Sequence, residues 1–160
     1  MDDVRWLTDE EQQTWRSLIR VVELLPAVLD SQLRRDAGLT HFEYFTLAML
    51  SEAPGRRLRM SALAARTNAT LPRLSRVVSR LETAGLVERS PCPEDGRATN
   101  ATLTDAGWEK VVQAAPGHVR TARELVVDAL EPEQVGQLAE IARRILTTLD
   151  PEQKMFATSD

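Results

Sequence analysis

From Trp15 onward, Leu18, Ile19, Val22, Leu25, Leu29 and Leu33 recur at steps of three and four residues, the period of one helix face. The spacing predicts an amphipathic helix over roughly 8–36, kinked at Pro26 and ended by Gly38. Thr40 and Glu43 have the spacing of a capping box, with Leu39 and Tyr44 set for an apolar staple, so a second helix starts there. Phe42, Phe45, Met49 and Leu50 give it a buried stripe, and Pro54 with Gly55 stops it. A short third helix is expected around 61–66. Thr70 then caps a fourth, which tolerates Pro72 in its first turn because an N–H there has no intrahelical partner. Leu74, Val77, Val78 and Leu81 face inward, Gly85 is placed as a left-handed stop, and the opposite face holds no acid before Glu82.

Residues 86–90 and 98–103 read as two strands around the turn formers of 91–96, a β-hairpin. Thr104 can cap a fifth helix, in which Pro116 and Gly117 predict a break or kink near the middle. A last helix starts near Pro132, with Val135, Leu138, Ile141, Ile145 and Leu149 on an inward face, and stops at Asp150 and Pro151. The fold class is therefore mainly α with a small β-hairpin wing. Short helix, turn, longer helix and hairpin make a winged helix-turn-helix core.

At 160 residues, with 42% hydrophobic and 28% charged, the chain is expected to be a single domain over 1–160. Met1–Arg5 lacks a basic, then apolar, leader and no apolar run nears the ~20 residues of a membrane span, so a cytoplasmic location without membrane contact is expected. The net charge of -4 hides an asymmetry. Residues 54–100 hold nine arginines against four acids, a net +5, while the rest holds eleven basic against twenty acidic residues, a net -9. A basic middle between acidic flanks is the footprint of a phosphate-binding module on a scaffold that does not touch phosphate. A solvated surface would show similar charge, but here caps, charge and element order agree.

The fourth helix can enter the major groove of double-stranded DNA with Thr70 at its head. Ser75 and Ser79 allow close approach, and Arg73, Arg76 and Arg80 reach phosphates or guanine edges. Arg97 at the hairpin tip can enter the minor groove. Arg89 has two readings, a structural pairing with Glu88 or Asp95 and a phosphate contact.

Leu81–Arg89, reading LETAGLVER, resembles the L-E-x-x-G-L-V-x-R stretch of the MarR family of bacterial transcription regulators. Asp95–Gly107, reading DGRATNATLTDAG, resembles that family's wing signature. The resemblance implies a homodimer whose winged lobes, residues 37–104 here, read a pseudo-palindromic operator, with 1–36 and 105–160 as dimerisation helices. It implies that Asp95 orients Arg97, that Arg73, Ser75, Arg76, Ser79 and Arg80 hold recognition positions, and that repression is relieved by a small ligand. Pro116, Gly117, Asn100 and Ala101 depart from the family pattern. Independently, apolar stripes on both sides of a small lobe have too little core of their own, and a symmetric dimer would cover them.

Family members often take small aromatic or lipophilic effectors between the dimer helices and the DNA lobe, which by element position points to Trp15, His41, Tyr44 and Phe45; ordinary core packing is the competing reading. Cys92 sits in the hairpin, where Arg89 and Arg97 could lower its pKa, but it has no resolving partner in the chain. His41 and His118 lack companions at metal spacing, so no metal or cofactor is expected. No nucleophile with a base, phosphate loop or converging carboxylates is legible, so an enzyme is not expected. The alternative is a winged-helix protein-interaction module that no longer binds DNA.

Overall fold

The computed structural model describes residues 4–157. Helix α1 spans Asp9–Ala37, runs continuously through Pro26, and starts at Thr8, whose hydroxyl accepts from the Glu11 N–H. It ends at Gly38, whose φ of 67° is the left-handed stop. Helix α2, His41–Glu52, opens with the reciprocal Thr40–Glu43 capping box. A 3₁₀ turn at Pro54–Arg56 leads into strand β1, Arg57–Arg59, then α3, Met60–Arg66, and α4, Leu71–Thr83. Strands β2, Val87–Pro91, and β3, Thr99–Leu103, form the wing. Helix α5 covers Asp105–Ala122, a π-helical segment follows at Arg123–Val127, and α6 spans Pro132–Leu149.

The fold is mainly helical with a small β-wing, as expected, but the sheet has three antiparallel strands in the order β1-β3-β2. In β1, Leu58 pairs with Ala101 and is buried between exposed Arg57 and Arg59. The core lies in the winged lobe. Leu33 and Leu39 meet Leu47 and Leu50 of α2, Leu63 of α3, the α4 stripe of Leu74, Val78 and Leu81, and Val87, Ala101 and Leu103 of the sheet.

Helix α5 corrects the expected break. It passes through Pro116 unbroken, since the carbonyl freed four residues earlier belongs to exposed Val112, where water can serve it. Gly117 serves close approach to α1: a Cβ there would lie 3.2 Å from Gln32 Nε2. The inward face expected of the last helix is a second correction. In the single chain, Leu138, Ile141, Leu146 and Leu149 of α6 are exposed, as are Trp15, Leu18 and Val22 of α1. No helix among the described residues is long and apolar enough to cross a membrane.

Candidate nucleic-acid interface

The reading surface begins at the N-terminus of α4. The Thr70 hydroxyl accepts from the Arg73 N–H, and no acid lies in the first turn, so the positive end of the helix faces outward uncompensated. Burial of Leu74, Val77, Val78 and Leu81 fixes the rotation of α4, turning Arg73, Arg76 and Arg80 to solvent and leaving Ser75 and Ser79 half-buried. Arg73 stacks over the Phe42 ring at 4.1 Å, holding its guanidinium as a flat plate beside the helix head. Arg80 pairs with Glu43 Oε1 at 3.1 Å, the same carboxylate that caps α2. Arg80 lowers the Glu43 pKa together with the Thr40 backbone, against the burial that raises it. Arg76 and the Arg97 guanidinium carry no ion pair or hydrogen bond among the described residues.

Asp95 ties down the backbone at Arg97: Oδ1 accepts the Arg97 N–H at 3.1 Å, and Ala98 N–H returns to the Asp95 carbonyl at 2.9 Å. Between wing and α4 lies a cleft of about 500 Å³, lined by Arg59, Ser61, Pro72, Ser75, Arg89 and Arg97. Arg59 and Ser61 went unread in the sequence, because three-residue β1, which brings Arg59 to the cleft, is too short to give a period. Arg89 takes neither partner proposed for it. Its Nε and Nη2 bind Glu82 Oε2 at 2.9 and 2.7 Å, its own N–H donates to Glu82 Oε1, and Nη2 also donates to Ser79 Oγ at 3.1 Å. These bonds hold the Glu82 carboxyl below the usual carboxylate range.

A family model described as MarR family matches residues 37–98. Among solved structures, the chain is similar to Sco3205 of Streptomyces coelicolor, a MarR family transcriptional regulator in complex with DNA. The two share 49% identity and a TM-score of 0.89, over 94% of each chain. The chain belongs to the MarR family. Another MarR family regulator of the same organism, AbsC, is 40% identical with a TM-score of 0.86, over 91% of this chain and 98% of that one. A curated relative, the HTH-type transcriptional repressor Rv2887 of Mycobacterium tuberculosis, is 39% identical over 88 residues, 51% of this chain. The match spans 62% of that relative's length.

In this MarR-family chain the four residues singled out for an effector do not gather in one place. His41 and Tyr44 converge with His118 of α5, whose ring lies 6.0 Å from His41 and 4.7 Å from Tyr44. Burial pushes both imidazoles down; the neighbouring histidine adds to this at His118, and Asp30 opposes it at His41. Phe45 instead stacks on Phe156 at 4.6 Å, beside the bond from Phe156 N–H to the last-turn carbonyl of α3, Arg66 O. Trp15 is 54% exposed and lies roughly 25 Å along α1 from Gln32 by helical rise. Cys92 is buried where strand β2 enters the wing-tip loop. Its thiol is lowered by the backbone N–H groups of Glu94 and Asp95 and by the charge of Arg59, not by Arg89 or Arg97. Among the described residues, no three His, Cys, Asp or Glu side chains are grouped to hold a metal ion.

Proposed function

We propose that this chain is a homodimeric, sequence-specific DNA-binding transcriptional regulator, a repressor relieved by a small aromatic or lipophilic effector. The observation that carries the reading is the surface built from α4 and the wing, with Arg97 lining an arginine-rich cleft, Arg76 exposed on α4, and both guanidiniums without an ion pair or hydrogen bond among the described residues. Arg76 is aimed to meet base edges or phosphates, and Arg97 to enter the minor groove. Thr70, Arg73, Ser75, Ser79 and Arg80 complete the surface, and Asp95 holds the wing tip. The similarity to Sco3205, solved with DNA, and to a curated repressor supports the same reading.

Dimerisation is supported by area. The single chain exposes 11411 Å², against about 8,000 Å² for a compact monomer of its 17.9 kDa. The exposed surface includes bare apolar faces of α1 and α6, and a second copy would cover them while setting two α4 helices on successive turns of DNA. What supports an effector near His41 and Tyr44 is a pair of buried polar atoms without partners, Gln32 Oε1 and His118 Nδ1.

The test is fluorescence anisotropy against duplexes tiling the gene's upstream region, at two salt concentrations, with Arg97→Ala beside the wild type. Tight, sequence-dependent, salt-sensitive binding is expected, weakened by about 1–3 kcal/mol in Arg97→Ala with the dimer intact. Equally weak binding to duplexes of every sequence, including a selected pool, overturns the reading.

A further inference from the structure

Ser79 differs from Thr83 of the same helix and Ser31 of α1 in what its proton does. Thr83 Oγ1 donates to the Ser79 carbonyl at 2.9 Å, and Ser31 Oγ donates to the Ala27 carbonyl at 2.9 Å, each spending its O–H on the preceding turn. Ser79 Oγ makes no such bond among the described residues. It accepts instead, from Arg89 Nη2 at 3.1 Å. Glu82 grips Arg89 through three bonds, fixing the guanidinium plane, so this donor is held in place rather than free to follow a ligand. The O–H is therefore left over on the face of α4 opposite its buried stripe.

A hydroxyl that accepts from a cation is polarised into a stronger donor and a poorer acceptor. A base amino group approaching the same oxygen would have only its remaining lone pair, beside the positive charge of Arg89. Acceptor edges, namely guanine O6 and N7, adenine N7 and thymine O4, would meet the free proton.

We propose that Arg89 is a specificity-positioning residue: by taking one lone pair of Ser79 Oγ it biases Ser79 toward donating its O–H, so that Ser79 selects an acceptor edge in the major groove. The proposal rests on the DNA-binding reading above. It also gives the Glu82–Arg89 pair a task distinct from phosphate neutralisation, because its charges already cancel.

The test is selection from a randomised duplex pool by wild type, Ser79→Ala and Arg89→Met, each checked for helix content by circular dichroism. Ser79→Ala is expected to lose base preference at one symmetric position per half-site, by about fivefold or more, and to keep the others. Arg89→Met, which removes the cationic donor from Ser79 Oγ, is expected to admit cytosine or an adenine amino edge at that same position. Should Arg89→Met fail to fold, Arg89→Lys takes its place: it retains the ion pair with Glu82, loses the fork that reaches Ser79, and carries the same expectation. Unchanged preferences in Ser79→Ala overturn the proposal. So does a uniform loss across all sequences in the Arg89 variant, which is what a merely structural role would produce. A wild type that enriches no sequence refutes the DNA-binding reading itself, and the proposal with it.

Discussion

Replacing Gly107 by Ala sets two physical effects of opposite sign against each other. Gly107 sits in the first turn of α5, where Ala is the better helix former by about 0.5–1 kcal/mol, so propensity alone predicts stabilisation. The packing predicts the reverse. A Cβ at 107 would lie 2.1 Å from the Leu86 carbonyl oxygen and 2.6 Å from Leu103 Cδ1. The Leu side chain can turn away, but the oxygen is backbone and accepts the Thr104 N–H at 3.1 Å. Retreat is further opposed by Thr104, whose hydroxyl donates to the Gly85 carbonyl at 2.7 Å and accepts from the Gly107 N–H at 3.0 Å. Overpacking of this kind costs about 1–3 kcal/mol, and a weakened hydrogen bond about 1 kcal/mol more. After the propensity gain, the net loss is about 1–3.5 kcal/mol. For a chain of this length that lowers Tm by roughly 2–14 °C. Gly136→Ala is the control: it lies in α6 with nothing within 4 Å of the added carbon, and should raise Tm by about 2 °C. Both are read by thermal unfolding at one fixed protein concentration, since the proposed dimerisation would make Tm concentration-dependent. A Gly107→Ala melting point equal to or above the wild type would refute the close-packing account of the α4–β2–α5 junction.

Three more outcomes are expected. Glu43→Gln keeps a capping residue on Thr40 but releases Arg80, so DNA affinity should rise about two- to fivefold with a steeper salt dependence in anisotropy titrations; unchanged or weaker binding counts against a restraining pair. Ile141→Glu, at a position 55% exposed in the single chain, should leave the fold intact and give a monomer mass by light scattering; a persistent dimer would locate the interface elsewhere. Stability should fall on acidification in two windows, read by denaturant titration. His41 and His118 are depressed by burial, so the unfolded chain binds protons first, and stability drops as pH falls below about 6.5; His118→Gln should shrink that step. Asp30, Glu43 and Glu82 are held low by their bonds, so their contribution is present above about pH 4 and is lost below it.

The helix ends were legible because capping is local chemistry: Thr40 with Glu43, Thr70, Thr104, Gly38 and Gly85 each act within a few residues of themselves. What was not legible depended on distant partners. Proline at 116 reads as a breaker, yet packing of Gly117 against α1 accompanies a helix that carries on. Arg89 reads as the partner of its neighbour Glu88, yet alternate strand residues point to opposite faces, and the carboxylate beneath it comes from the end of α4, seven residues back. The reading face itself could be drawn from α4 alone, whereas the ties of Arg73 to Phe42 and Arg80 to Glu43 required the placement of α2.

The basic surface is built wholly of arginine; the two lysines of the chain, Lys110 and Lys154, lie in α5 and beyond α6. Guanidinium keeps its charge throughout the pH range in which proteins fold, and lysine-directed acetylation cannot reach it. The positive charge that these side chains carry is thus independent of pH. On the proposed reading, a signal would change the occupancy of DNA by altering how far apart two such lobes are held rather than by titrating their arginines.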